Sequence, residues 1–355
     1  MFAIFLSFMT AFTLAYIAIP HVINIARDRN LCEEPGERSS HTISTPALGG
    51  IGIFSAAVFS IVMWTPFSEF ANLQYLLCAF IIVFLMGVKD DFAPLDPINK
   101  IIGQALASCI LIFKSDVLLR GFYGIGYVHD VLPQPVMIGL TLLAMLLIIN
   151  AFNLIDGING LAGSLGALIA GTLGCWFYWV GRIELAVVSF SIVGAVLAFL
   201  KYNYTPAKIF MGDSGSLLIG TSCAVLIIQF IDMNYYLAPS DVKRVEAVPA
   251  VAIGIMVIPI FDTIWVSINR IISNKSPFNG DRRHIHHLLI DFGFSHMQAT
   301  GILVAVNAVF ILLAFTFSHF LDLHLLLGLI LGLATLLTYL LHRMVAARRG
   351  RKKLV

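Results

Sequence analysis

An all-α, polytopic integral membrane fold with about eleven transmembrane helices is what the sequence predicts, on three observations. Of 355 residues, 59% are hydrophobic and only 12% charged, whereas a soluble domain carries roughly 25% charged residues. The apolar residues gather into runs close to the ~20 residues that cross a bilayer. Lys and Arg are divided unevenly between alternate connecting loops, as they are in chains oriented by the positive-inside rule.

Eleven runs are long enough to span, near 2–26, 46–65, 71–88, 98–118, 133–152, 161–180, 183–200, 214–231, 247–271, 297–318 and 323–342. Each should be a helix, because lipid leaves spans of this length no other way to pair their backbone groups. They make one membrane domain over 1–345, followed by a basic tail at 346–355. The first run has no basic segment ahead of it and exceeds the apolar core of a cleavable leader, so it reads as a retained helix. With the N-terminus outside, seventeen of the 22 Lys and Arg fall on the inner side; the outer side holds Lys114, Arg120, Arg182, Lys243 and Arg244. That bias predicts a cytoplasmic C-terminus. The tail Arg348 to Lys353 then suits anionic lipid, not nucleic acid. The five cysteines show no CxxC spacing, which argues against a disulfide framework and a zinc ribbon.

The loops on the inner side hold nearly all the unusual polar residues. Lys89-Asp90-Asp91 closes the third run. Two carboxylates at a helix C-terminus oppose the helix dipole at about 0.3–1 kcal/mol each. They are either a solvated acidic pair or a metal or proton-transfer site. Asp96-Pro97 has the form of an N-cap followed by the first helical position, which puts Lys100 in the first turn of the fourth helix. There it is a snorkelling anchor or a phosphate contact near Asp90 and Asp91.

Between the fifth and sixth runs, Asn153, Asp156 and Asn159 recur every three residues. On a helical turn they share one face as an oxygen-rich stripe, although Asn, Asp and Gly are also turn formers. Before the eighth run stands Phe210-Met211-Gly212-Asp213-Ser214-Gly215-Ser216. Asp213 or Ser214 is expected to N-cap that helix. A helix N-terminus also favours anions, so an ionised Asp213 there suits a hard cation. Mg²⁺ takes oxygen ligands and keeps positions open for phosphates. No GxxxxGK[ST] pattern occurs, so this is not a P-loop. The fourth segment is Asp281-Arg282-Arg283-His284-Ile285-His286-His287. Adjacent arginines repel a dication and suit phosphate oxygens, so phosphate is preferred to zinc, for which no nearby Cys completes a tetrahedral set. Carboxylates, carboxamides, cations and histidines therefore converge on the cytoplasmic face. Transporters place such groups near the bilayer midplane and break their helices there, and no run suggests either feature. The chemistry implied is Mg²⁺-assisted phosphoryl transfer.

These residues resemble the polyprenyl-phosphate N-acetylhexosamine-1-phosphate transferases, and within them the bacterial undecaprenyl-phosphate N-acetylglucosamine-1-phosphate transferases. The resemblance rests on Thr45-Pro46…Gly49-Gly50, Asp90-Asp91, Lys100, Asn153-x-x-Asp156-Gly157, Phe210-Met211-Gly212-Asp213-x-Gly215-Ser216 and His284-Ile285-His286-His287. It implies attack by undecaprenyl phosphate on the sugar-linked phosphate of a UDP-N-acetylhexosamine, releasing UMP, by direct attack or through a covalent enzyme intermediate. It implies Asp213 as the Mg²⁺ ligand, with Asn153 or Asp156 nearby and Mn²⁺ as a substitute metal. Phe210 would stack on uracil and Asn159 would lie near the nucleotide. Asp90 would accept the proton of the lipid phosphate, supported by Asp91. Lys100, Arg270, Arg282, His284, His286 and His287 would hold phosphates. Two positions depart from relatives: many bacterial members have Asp at Asn159, and the cell-wall lipid I enzymes have three consecutive histidines where Ile285 interrupts the motif. The second departure implies initiation of a different envelope glycan.

Overall fold

The structure, a computed structural model, describes residues 1–29, 31, 45–273 and 284–352, with 71–72 and 349–352 described by backbone alone. Among these residues run thirteen α-helices: α1 (Phe2–Asp28), α2 (Gly49–Trp64), α3 (Leu73–Phe92), α4 (Pro97–Lys114), α5 (Gln134–Ile155), α6 (Leu161–Val180), α7 (Ile183–Asn203), α8 (Gly212–Tyr235), α9 (Val248–Ile255), α10 (Val257–Ile272), α11 (Ile285–Phe292), α12 (His296–Phe317) and α13 (Leu323–Lys352). The expected all-α membrane fold is therefore present. Every apolar run became helix, but not all eleven have the length and composition of a span. Among the described residues eight helices are long and apolar enough to cross a membrane, or nine if α9 and α10 form one bent span. With sixteen residues, α2 is roughly 24 Å long, short of a ~30 Å hydrocarbon layer. Lys100, Gln104, Ser108 and Lys114 interrupt the apolar character of α4.

The helices form two compact units. One comprises 1–119 and 133–230, the other 120–132 and 231–355. In the first unit α7 and α8 are buried along most of their length, with α1 and α6 packed on α7, α2 on α1 and α7, and α4 on α3 and α5. In lipid no hydrophobic force drives helices together, so close packing and interhelical hydrogen bonds must do it. Small hydroxyl residues serve both purposes. Ser60 donates to the Ser7 carbonyl at 2.6 Å, Ser191 donates to Ser60 at 3.1 Å, and Trp64 Nε1 donates to Thr10 Oγ1 at 2.9 Å. Ser189, Thr221 and Ser222 return their hydroxyls to carbonyls four residues earlier, each at 2.8 Å.

The second unit holds the main departure from expectation. The ninth apolar run is not one helix: α9 and α10 meet at an angle of 82° at Met256. A break inside an apolar segment frees backbone groups that lipid cannot satisfy. Asn307, fully buried in α12, answers both sides of it: Nδ2 donates to the Ile255 carbonyl at 3.1 Å, and Oδ1 accepts from the Ile258 N–H at 3.2 Å. The same run carries Asp262, 2% exposed, so the expectation of unbroken spans without an interior charge is corrected as well. At the other end of this unit, residues 120–132 fold back on themselves through an isolated bridge between Gly121 and Val131. Asp232 fastens this loop by an ion pair with Arg120 and by accepting the Tyr123 hydroxyl at 2.8 Å.

Candidate active site

In the first unit, two loops are tied together through the backbone. The Phe210 N–H donates to the Pro46 carbonyl at 2.8 Å, and the Gly49 and Gly50 N–H groups donate to the Phe210 and Met211 carbonyls at 2.9 Å each. The segment Thr45-Pro46…Gly49-Gly50 thereby holds the loop that introduces α8. Gly212 opens that helix with φ +73°, a left-handed conformation that glycine adopts without a Cβ penalty. Phe210 itself is half-buried.

Asp91 supplies the cap of α8 from another helix. Its Oδ1 accepts from the Asp213 N–H at 2.6 Å, and its Oδ2 accepts from the Ser214 N–H at 3.1 Å and the Ser214 hydroxyl at 2.6 Å. This corrects the expectation that Asp213 or Ser214 caps the helix: α8 already begins at Gly212, and Asp213 lies inside its first turn. The reach depends on Gly87, one turn earlier on α3. A Cβ there would lie 2.4 Å from the Ser214 Cα, so only glycine lets the two backbones approach this closely.

With its own backbone capped by Asp91, the Asp213 side chain is available for other contacts. Lys100 in the first turn of α4 pairs with Asp90 Oδ2 at 2.7 Å and also with Asp213 Oδ2. The second oxygen of Asp90 accepts the Leu95 N–H at 2.6 Å. Asn153, in the last turn of α5, donates through Nδ2 to Asp213 Oδ1 at 2.9 Å and to Ser216 Oγ at 3.1 Å. Four helices, α3, α4, α5 and α8, thus meet at one cation position, where two carboxylates share one ammonium. The Lys100, Asp90 and Asp213 side chains keep 21%, 12% and 23% of their exposure, so the cluster opens to solvent and to ligands.

Asp156 is the residue that ends α5. The proposed stripe does not continue as one helical face. α5 stops at Ile155 and Gly160 turns the chain with φ +79° before α6. Asn159 is 5% exposed and directs Nδ2 to Thr205 Oγ1 at 3.0 Å. The Gly160 N–H donates to Asn203 Oδ1 at 2.6 Å, and Asn203 donates to the Ile209 carbonyl at 2.9 Å. Asn159 and Asn203 therefore join the α5–α6 turn to the loop before Phe210. Asn153 meets Asp213, while Asn159 faces the loop instead.

The histidine motif lies in the second unit. His284 is the N-cap residue of α11, and His286 is 1% exposed. Neither nitrogen of His286 has a partner among the described residues. Burial, and then the neighbouring imidazoles, push its pKa well below the usual histidine value. The rings of His286 and His287 are 4.2 Å apart. Arg270 is 5% exposed near the end of α10. Arg282 lies outside the described residues. Asp262 had not been singled out from the sequence, although an aspartate inside an apolar run is itself a signal, being expensive there without a function or a partner. It accepts from the Ile285 N–H at 2.9 Å and contacts His284 Nδ1 at 2.9 Å.

Among the described residues no three His, Cys, Asp or Glu side chains converge as a metal-ligand set. The donors that do converge are oxygens, and they already hold a cation in common. Such a set fits Mg²⁺, which takes only one or two protein carboxylates and completes its shell with water and phosphate; it lacks the nitrogen and sulfur ligands that zinc prefers.

The described residues thus define a multi-pass membrane protein with a charged cluster, two carboxylates around one ammonium, at the ends of its helices. Residues 73–231 match glycosyl transferase family 4. The chain is 30% identical over 312 residues to the probable undecaprenyl-phosphate N-acetylglucosaminyl 1-phosphate transferase of Bacillus subtilis, covering 87% of this chain and 84% of that protein. It is 31% identical over 318 residues to the decaprenyl-phosphate N-acetylglucosaminephosphotransferase of Mycobacterium tuberculosis, covering 83% of this chain and 78% of that one. It is 28% identical over 308 residues to the undecaprenyl-phosphate alpha-N-acetylglucosaminyl 1-phosphate transferase of Yersinia pestis, covering 86% and 81%. The chain belongs to the polyprenyl-phosphate N-acetylhexosamine-1-phosphate transferases of glycosyl transferase family 4, and it is a sugar-1-phosphate transferase.

Proposed function

We propose that this enzyme transfers N-acetylglucosamine-1-phosphate from UDP-N-acetylglucosamine to undecaprenyl phosphate, releasing UMP and starting a cell-envelope polysaccharide. The observation that carries the reading is the Asp90–Lys100–Asp213 cluster, a cation position flanked by carboxylates, together with the names of the relatives. An oxygen of the lipid phosphate forms the new bond to the sugar-linked phosphorus, and the bond from that phosphorus to the oxygen retained by UMP breaks. Asp90 accepts the proton from the attacking phosphate. Lys100 neutralises charge beside it, and Asn153 orients the Asp213 carboxylate. Mg²⁺, for which Mn²⁺ substitutes, would be held by Asp213 with Asn153 or Asp156, and supplies charge neutralisation on the diphosphate when bound. Phe210 would carry the uracil, with Asn159 close to the nucleotide. Arg270 and the histidine motif would hold phosphate oxygens. The reading places the protein in the bacterial inner membrane, N-terminus outside and C-terminus and active site cytoplasmic, following the charge bias of the loops.

The test is reconstitution. Purified protein is offered undecaprenyl phosphate, Mg²⁺ and, separately, several UDP-sugars, and the lipid product is weighed by mass spectrometry. The expected product carries one N-acetylhexosamine phosphate, formed fastest from UDP-N-acetylglucosamine. Activity should disappear with EDTA and return with Mg²⁺ or Mn²⁺. Turnover that persists in thoroughly metal-free enzyme would remove the metal from the proposal, and a faster product from another UDP-sugar would change the substrate.

A further inference from the structure

Among the described residues Asp262 is the most deeply buried acid, and nothing so far gives it a part in the reaction. Its side chain is 3% exposed and that of His284 is 7% exposed. An ionised carboxylate in such surroundings is sustained only by partners, and both of its oxygens are engaged. Oδ1 accepts the Ile285 N–H at 2.9 Å, and Oδ2 lies 2.9 Å from His284 Nδ1. We propose that Asp262 is a positioning residue of the transferase: it holds His284 in the Nδ1–H form and so presents Nε2 to a substrate phosphate.

The argument follows from donor and acceptor roles. An ionised carboxylate only accepts hydrogen bonds, and in a neutral imidazole one nitrogen donates while the other accepts. With Oδ2 as acceptor, Nδ1 must carry the proton, and Nε2 is the nitrogen left for a ligand. A substrate phosphate that still carries a proton donates a hydrogen bond from its P–OH to that Nε2 lone pair, with no change in the charge of the ring. The pairing with the Ile285 N–H does a second job, because it fixes the first turn of α11. Ring orientation and helix position are thus set by one side chain.

The fold delivers Asp262 to this place through the break at Met256. Within α10 it lies well under two turns after the break, and the bend of 82° redirects this part of the apolar run toward the start of α11. Asn307 makes the bend tolerable by pairing both freed backbone groups. An unbroken span 247–271 would carry Asp262 in some other direction. A broken apolar run is also a feature of transporters; here it is accounted for by the placement of one carboxylate.

The inference rests on the reading of the histidine motif as a phosphate-binding part of the transferase, so one measurement is made without turnover. The ¹⁵N spectrum of the histidine rings in detergent-solubilised wild-type protein, assigned by loss of a signal in His284→Gln, should show His284 protonated at Nδ1 and free at Nε2. In Asp262→Asn that tautomer should no longer dominate. An Nε2–H form in the wild type overturns the proposal whatever the enzyme's substrate is. The kinetic arm uses Asp262→Asn, whose side-chain oxygen still accepts from Ile285 and so keeps the helix cap. Its transfer rate should fall about 10–100-fold, the usual loss when an outer partner of a functional histidine is changed, with little change in thermal midpoint. His284→Gln should fall at least as far, and the double variant should be no slower than His284→Gln alone. A multiplicative loss in the double variant, or a wild-type rate for Asp262→Asn, would show that Asp262 does not act through His284. If the wild type transfers no sugar phosphate while the tautomer is as stated, the functional reading has failed and the pair has not.

Discussion

Asp213→Asn is expected to abolish transfer while leaving the fold intact. The substitution preserves size and an oxygen that accepts from Asn153 Nδ2, now at 2.9 Å, and it leaves untouched the backbone N–H that Asp91 caps. What it removes is the charge. Lys100 then pairs with Asp90 alone, and the cation position loses one of its two carboxylates. If the proposed metal is worth several kcal/mol of transition-state stabilisation, the rate falls by about 10³-fold or more at ~1.4 kcal/mol per factor of ten. UDP-N-acetylglucosamine affinity, measured by calorimetry with and without Mg²⁺, should lose most of its dependence on the metal. A variant that binds nucleotide with an undiminished Mg²⁺ requirement would take Asp213 out of the metal site.

Asp90→Asn should separate from Asp213→Asn by what it spares. The asparagine oxygen still accepts from the Leu95 N–H, so the loop after α3 keeps its shape. Nucleotide affinity should stay near wild type, because the role assigned to Asp90 concerns the lipid phosphate. Turnover should drop about 10²–10⁴-fold, the contribution of a general base. The size of the loss should depend on pH, with a sign set by the acceptor. A phosphate monoester loses its second proton near pH 6. Below that pH the lipid phosphate needs a base; above it most molecules are already ionised. The defect should therefore be largest at about pH 5.5 and shrink toward pH 8. A defect equal across this range would exclude the base role and leave Asp90 as a partner of Lys100. The neighbouring Asp91→Ala makes the contrast. It takes away three hydrogen bonds at the start of α8, each about 1.5–3 kcal/mol when one partner is charged. It should lower the thermal midpoint in detergent as well as the rate, whereas Asp90→Asn should lower the rate alone.

These two adjacent acids show where sequence reading reached and where it stopped. That Asp90-Asp91 mattered was visible from two carboxylates at the unfavourable end of an apolar helix. Which acid pairs with Lys100 and which holds α8 was not, since the answer depends on how α3 turns against α8 at Gly87. Lys100 was read as an anchor or a phosphate contact, and the structure adds a third role as the shared partner of Asp90 and Asp213. The repeat of Asn153, Asp156 and Asn159 carried a real signal of a polar turn. Its helical interpretation failed because the hydrogen bonds of Asn159 and Gly160 draw the chain toward 203–205 after α5 ends.

By itself, the sequence determined the class of this protein: apolar runs of spanning length dictate helices in lipid, and the order of its polar motifs identifies a transferase family. Those properties are local, set by solvent transfer and by spacing along the chain. Only the tertiary structure decided that the ninth run breaks, that Asn307 on another helix mends the break, that Asp91 caps a helix more than a hundred residues away, and that Asp262 grips His284. Apart from the break itself, each is a hydrogen bond between residues distant in sequence. In a low-dielectric interior an unpaired polar group is penalised heavily and a paired one is held, so the partner is chosen by the packing of helices, which no periodicity along the chain records.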